Sequence, residues 1–86
     1  MKYCVLVDPR AAKTLGKLES YLVYKIDRVI SQLSEDPRPV GVKMLRGRFK
    51  EGWRIRVGEY RILYRIDDNS REVRIFEIGH RREVYR

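Results

Sequence analysis

Four arginines within residues 53–65, Trp-Arg-Ile-Arg-Val-Gly-Glu-Tyr-Arg-Ile-Leu-Tyr-Arg, are the side chains best suited to chemistry. A guanidinium is a planar fork that donates two parallel hydrogen bonds to a phosphate. Alternating apolar and basic residues on either side of Gly58-Glu59 predict a β-hairpin, because a two-residue connection with glycine first is a favoured turn. Closing that turn pairs Val57 with Tyr60, Arg56 with Arg61, Ile55 with Ile62, Arg54 with Leu63 and Trp53 with Tyr64. Strand alternation then puts Trp53, Ile55, Val57, Tyr60, Ile62 and Tyr64 on a core face and Arg54, Arg56, Arg61 and Arg65 on the other. Like charges directly opposed across strands, as Arg56 and Arg61 are, destabilise the pair. The arginine face therefore reads as an anion site, the alternative being a solvated strand face with no ligand.

The whole chain carries the same sign. Its net charge is +8 over 86 residues, which points to a polyanionic partner, most simply nucleic acid. Residues 1–42 hold 7 Lys and Arg against 5 Asp and Glu, whereas residues 43–86 hold 13 against 7. The polyanion is expected on the C-terminal half. The length allows one domain, residues 1–86, and 43% hydrophobic with 37% charged residues fits a compact soluble fold. A lone cysteine, Cys4, has no disulfide partner in the chain, fits a reducing cytoplasm and is expected in the core. No signal peptide or membrane-spanning run is expected. With one histidine and one cysteine there is no ligand cluster for a metal.

Tyr3 to Val7 reads as a first strand. Asp8 caps a helix that starts at Pro9, where the missing N–H does no harm. Ser20 is expected to cap a second helix, with Leu22, Ile26, Val29, Ile30 and Leu33 recurring at three-and-four spacing. Asp36-Pro37-Arg38-Pro39 ends it. Lys43 to Gly47 is a short extended piece followed by a basic loop. Asp67-Asp68-Asn69-Ser70 is a turn, and Arg71 to Gly79 is the last strand. The expected fold is α+β: a β-α-α-β-β-β order, an antiparallel sheet and a two-helix hairpin on one face.

Phe76 and Ile78 are the expected core residues of the last strand. Provided that no bulge intervenes, alternation places Val73, Ile75, Glu77 and Arg81 on the arginine face and turns His80 toward the core. Arg54, Arg56, Arg61 and Arg81 are then expected to share an exposed concave face. His80 titrates near neutrality, yet its orientation favours a half-buried, hydrogen-bonded role over catalysis. Trp53 and Tyr64 are expected to be core residues rather than platforms for bases.

Three stretches together resemble the RelE/ParE superfamily of toxins: Lys43-Met44-Leu45-Arg46-Gly47, the hairpin Trp53 to Tyr64, and the tail Ile78-Gly79-His80-Arg81-Arg82-Glu83-Val84-Tyr85. RelE-type members are ribosome-dependent endoribonucleases acting on messenger RNA, and ParE-type members inhibit DNA gyrase. The RelE pattern has basic residues where Arg54 and Arg56 stand, arginines at Arg61 and Arg81, and a tyrosine at Tyr85. Two departures stand out: arginine replaces lysine at positions 54 and 56, and the segment between Gly79-His80-Arg81 and Tyr85 is short. The resemblance implies a RelE-like fold, no cofactor, a RelB-like antitoxin partner, and operator DNA as a partner of the toxin–antitoxin complex.

Metal-free RNA cleavage uses the substrate's own 2′-hydroxyl to attack phosphorus, which demands a base, an acid and charge stabilisation. Arg61 is expected to stabilise the phosphorane and Arg81 the leaving oxygen. Arginine does not accept protons at working pH, so Tyr85 is the expected base, its phenol made more acidic by nearby cations; its alternative is to pack the tail. Arg54, Arg56, Arg65, Lys43, Arg46, Arg48, Lys50 and Arg82 are the expected RNA contacts. Competing readings are a gyrase inhibitor and a non-catalytic basic RNA-binding module; the latter would be expected to carry exposed aromatics on its basic face.

Overall fold

The hairpin forms between β3 (Trp53–Val57) and β4 (Tyr60–Asp67) in the computed structural model, with every pair in the expected register. Gly58 at its tip has φ +60°, a left-handed conformation that glycine adopts without a Cβ penalty. Residues 2–45 and 52–84 are described, without the side chains of Glu83 and Val84. The candidate contacts Arg46, Arg48 and Lys50 and the candidate base Tyr85 lie outside the described residues.

Before the hairpin come β1 (Cys4–Val7), α1 (Pro9–Leu15), α2 (Ser20–Glu35) and the two-residue strand β2 (Lys43–Met44). After it come β5 (Glu72–His80) and the four-residue helix α3 (Arg81–Val84). The α+β class holds, with strand order β1-β5-β4-β3-β2. The sheet is mixed, because β1 runs parallel to β5 and pairs Val5 with Val73 and Val7 with Ile75. None of the described helices is long and apolar enough to cross a membrane.

Both helices lie on one face of the sheet. Ala11, Ile26 and Leu33 are fully buried against Ile55, Ile62, Tyr64, Val73, Ile75 and Ile78, which follows from the apolar stripe of α2 meeting the apolar face of the hairpin. Asp8 is the N-cap of α1, with Pro9 at the first helical position. Its carboxylate, however, accepts a hydrogen bond from the Arg74 guanidinium at 2.8 Å and caps no backbone N–H. Glu19, one residue before Ser20, is the N-cap of α2.

The expected directions of Val73, Ile75, Phe76 and Cys4 are corrected by the sheet. Leu63 pairs with Glu77, but the next residue, Tyr64, pairs with Ile75, so Phe76 is an extra residue in a β-bulge. Val73 and Ile75 therefore face the helices, fully buried, while Phe76 packs with Leu45 and Leu63 on the opposite side. Cys4 is exposed rather than core, because alternation along β1 turns Val5 and Val7 inward.

Tyr64 joins the core to the loop after α2. Its ring is fully buried and its hydroxyl donates to the Pro37 carbonyl at 2.8 Å. Tyr64→Phe is expected to lower unfolding free energy by about 1 kcal/mol in urea titrations at neutral pH. Burial holds the Tyr64 phenol well above its ordinary pKa. The folded state thus stays protonated when the unfolded chain ionises, and wild-type stability falls as pH rises beyond about 10. The gap between the wild type and Tyr64→Phe should close over that range.

Candidate functional site

The opposite face of the sheet gathers the basic residues strand by strand. Lys43 of β2 stands opposite Arg54 of β3, Arg54 opposite Leu63, Arg56 opposite Arg61, and Arg61 opposite Gly79 of β5. Because this face has period two on every strand, Lys43, Arg54, Arg56 and Arg61 converge while Gly79 adds no side chain. Lys43, Arg54, Arg56 and Gly41 line a cleft of about 250 Å³. Leu45, Leu63 and Phe76 form the apolar floor beside it, in place of the expected Val73 and Ile75.

Exposure differs sharply among these arginines. Arg56 is exposed and Arg54 half-buried, whereas Arg61 is 8% exposed. The expectation of one uniformly exposed face is therefore corrected at Arg61. Its position on β4, the middle strand, gives it neighbours on both sides. Shielding from water strengthens the interaction of a fixed cation with an anion. The arrangement is a cationic cleft of Lys43, Arg54 and Arg56, with the buried Arg61 paired across from Arg56.

Arg65 lies further along the same face, and Arg81 opens α3 beside the hairpin turn. Arg65 is exposed and its guanidinium lies 4.2 Å from the Phe76 ring centroid, a cation–π contact with the bulged residue. Arg81 extends the pairing of β4 and β5 by one step, donating its N–H to the Glu59 carbonyl at 2.9 Å. Its side-chain Nε meets Glu59 Oε2 at 2.8 Å. Sequence reading missed Glu59 as a partner, although a hairpin-turn carboxylate one step beyond the Tyr60–His80 pair was the available signal.

His80 is half-buried on the core side, as expected. Its Nδ1 accepts the Arg82 N–H at 3.3 Å, and its ring meets Tyr60 edge-on at 5.6 Å. Arg82 is exposed on α3. Glu77 is ion-paired with Arg10 of α1 at 3.4 Å. Trp53 is packed against the core, with Arg38 stacked over its ring at 5.2 Å. Arg38 also binds Asp68 at 3.0 Å, and this charge-assisted bond holds the Asp68 carboxyl below its ordinary pKa.

A family model described as the ParE toxin of the type II toxin-antitoxin system, parDE, matches residues 5–85. Toxin RelG of Mycobacterium tuberculosis is 37% identical over 87 residues, covering all of this chain and 99% of that protein. The toxin–antitoxin complex RelBE2 from Mycobacterium tuberculosis contains a similar chain: TM-score 0.83 at 31% identity, over 93% of this chain and 99% of that one. The archaeal RelE–RelB complex from Pyrococcus horikoshii OT3 gives a TM-score of 0.84 over 98% and 100% of the two chains. At 22% identity that likeness is one of fold.

Proposed function

Since the chain belongs to the RelE/ParE superfamily of type II toxins, we propose that it is a RelE-type endoribonuclease that cleaves messenger RNA on the ribosome. The observation that carries this reading is the convergence of Lys43, Arg54 and Arg56 around a half-open cleft, with the buried Arg61 directly opposite Arg56. A phosphate in such a cradle meets several donors at once, which favours the more highly charged phosphorane over the ground-state diester.

In the proposed reaction the RNA 2′-hydroxyl attacks the adjacent phosphorus in line. Tyr85 accepts its proton, Arg61 stabilises the phosphorane, and Arg81 stabilises the departing 5′-oxygen, which takes a proton from water. The products are a 2′,3′-cyclic phosphate and a free 5′-hydroxyl. Lys43, Arg46, Arg48, Lys50, Arg54, Arg56, Arg65 and Arg82 hold the strand. In the free protein Arg81 is engaged by Glu59, an exposed ion pair. Such pairs contribute little, so the guanidinium is available for exchange onto a phosphate.

The proposed partners are a RelB-like antitoxin, the ribosome with its messenger RNA in the cytoplasm, and operator DNA for the toxin–antitoxin complex. RelBE2 and the archaeal RelE–RelB pair are described as complexes, and a basic arginine face suits a complementary acidic chain. The match to a ParE family model supports a second reading, inhibition of DNA gyrase. Primer extension on messenger RNA with and without ribosomes, alongside a gyrase supercoiling assay, separates the two. Discrete ribosome-dependent stops with unaffected supercoiling support the nuclease. Lost supercoiling without cleavage supports the alternative.

A further inference from the structure

The geometry points to a second RNA contact on α2, reached by a single strand that leaves the arginine face around the free end of β3. This inference rests on the reading of the arginine face as an RNA site and extends it to residues on the other side of the sheet.

The two surfaces are continuous. β2 pairs with Trp53 and Arg54 and goes no further, so Ile55–Val57 has no β2 neighbour. Beside that segment lies a cleft of about 570 Å³, lined by Lys25, Arg28, Val29 and Gln32 of α2 and by Arg56 and Val57 of β3. Arg56 lines this cleft and also the basic cleft of the arginine face. A strand contacting Lys43 and Arg54 therefore meets Arg56 at the edge and then Arg28 and Lys25.

The chemistry of α2 at this point fits nucleotides. Tyr21 and Tyr24 are 58% and 64% exposed, unusual for large rings outside an interface. Each carries a cation four residues on: Lys25 lies 5.9 Å from the Tyr21 centroid and Arg28 6.0 Å from that of Tyr24. The 3.6-residue period puts all four on one stripe, away from the buried Ile26 and Leu33. Among nearby carboxylates, Glu35 is paired with Lys2 at 3.2 Å, and Asp27 sits about 100° around the helix from Arg28.

Rings alternating with cations match a single strand, in which bases stack and phosphates pair. An amphipathic protein helix would need an apolar groove, and this stripe of tyrosine, lysine, arginine and glutamine does not provide one.

The test uses fluorescence anisotropy with non-cleavable 2′-O-methyl RNA of about 5 and about 15 nucleotides, bracketing single-strand site sizes. The wild type should bind the longer strand at least about tenfold more tightly, the effect of roughly one stacked base. Tyr24→Ala combined with Arg28→Gln, both exposed and checked by thermal melting, should erase this advantage and leave short-strand affinity unchanged. Arg54→Gln should weaken both lengths. An α2 variant that retains the full length advantage overturns the inference while the arginine-face reading stands. If Arg54→Gln has no effect but the α2 variant loses long-strand binding, the α2 contact stands and the arginine-face reading fails. If a poly-glutamate peptide binds as tightly as RNA and is lost equally on the α2 variant, the surface belongs to an acidic chain and the RNA assignment is overturned.

Discussion

Arg61→Gln is expected to slow single-turnover cleavage on ribosomes by roughly 100- to 1000-fold, the usual cost of removing one preorganised donor from a developing oxyanion. Glutamine is the informative replacement because Arg61 is 8% exposed. Alanine would open a void in a packed position and confound lost chemistry with lost stability. Glutamine is shorter but keeps the polar, unbranched stem that fills most of the site, and it removes the charge. Arg61→Lys keeps the charge but loses the planar fork, and should fall between the two. Activity must be compared below the melting transition of each variant. Full cleavage by a folded Arg61→Gln protein would remove Arg61 from the mechanism. Arg56→Gln makes a useful contrast, because Arg56 is exposed on the same rung and should weaken substrate binding more than the chemical step.

Tyr85→Phe is expected to lower single-turnover cleavage by about 100- to 10,000-fold, the span of a general-base contribution, with ribosome binding nearly unchanged. The substitution keeps the ring and deletes the proposed proton acceptor. The rate profile should change shape as well as height, because the rise of rate with pH that a general base supplies is lost in the phenylalanine variant. A loss below about tenfold would assign most of the catalysis to the arginine cluster acting on the 2′-hydroxyl itself. Unimpaired cleavage would dismiss Tyr85 as base and leave the nuclease assignment intact.

The hairpin was legible to the residue because one short turn dictates every pair that follows it. Glycine at position 58 and strict alternation leave a single register, and the observed pairs from Trp53–Tyr64 to Val57–Tyr60 reproduce it. Helices α1 and α2 were legible from apolar spacing and from Pro9, whereas the short α3 after β5 was not expected. The last strand was harder. Its bulge at Phe76 arises from pairing with a distant strand and leaves no local mark, yet it decides which face Val73, Ile75 and Phe76 occupy. Cys4 was misplaced for a related reason: a four-residue run of apolar character does not say which alternate positions point inward until its partner is known. At the site, convergence of Lys43, Arg54, Arg56 and Arg61 was readable from alternation. The burial of Arg61 was not, because it depends on β4 having a strand on each side.

The parallel pairing of β1 with β5 also sets an order of events for the newly made chain. Residues 4–7 emerge first, but the residues that complete their ladder, 72–75, emerge almost seventy positions later. Loop closure of that length is slow compared with forming a local hairpin. The β3–β4 hairpin and its row of guanidiniums can assemble while β1 still lacks a neighbour, and the helices have no finished sheet to rest on until β5 arrives. A toxin built this way acquires its arginines early and its rigidity late. Preorganisation of the arginine face therefore waits for β5, and under the proposed mechanism a chain still lacking that strand is expected to be a poor catalyst.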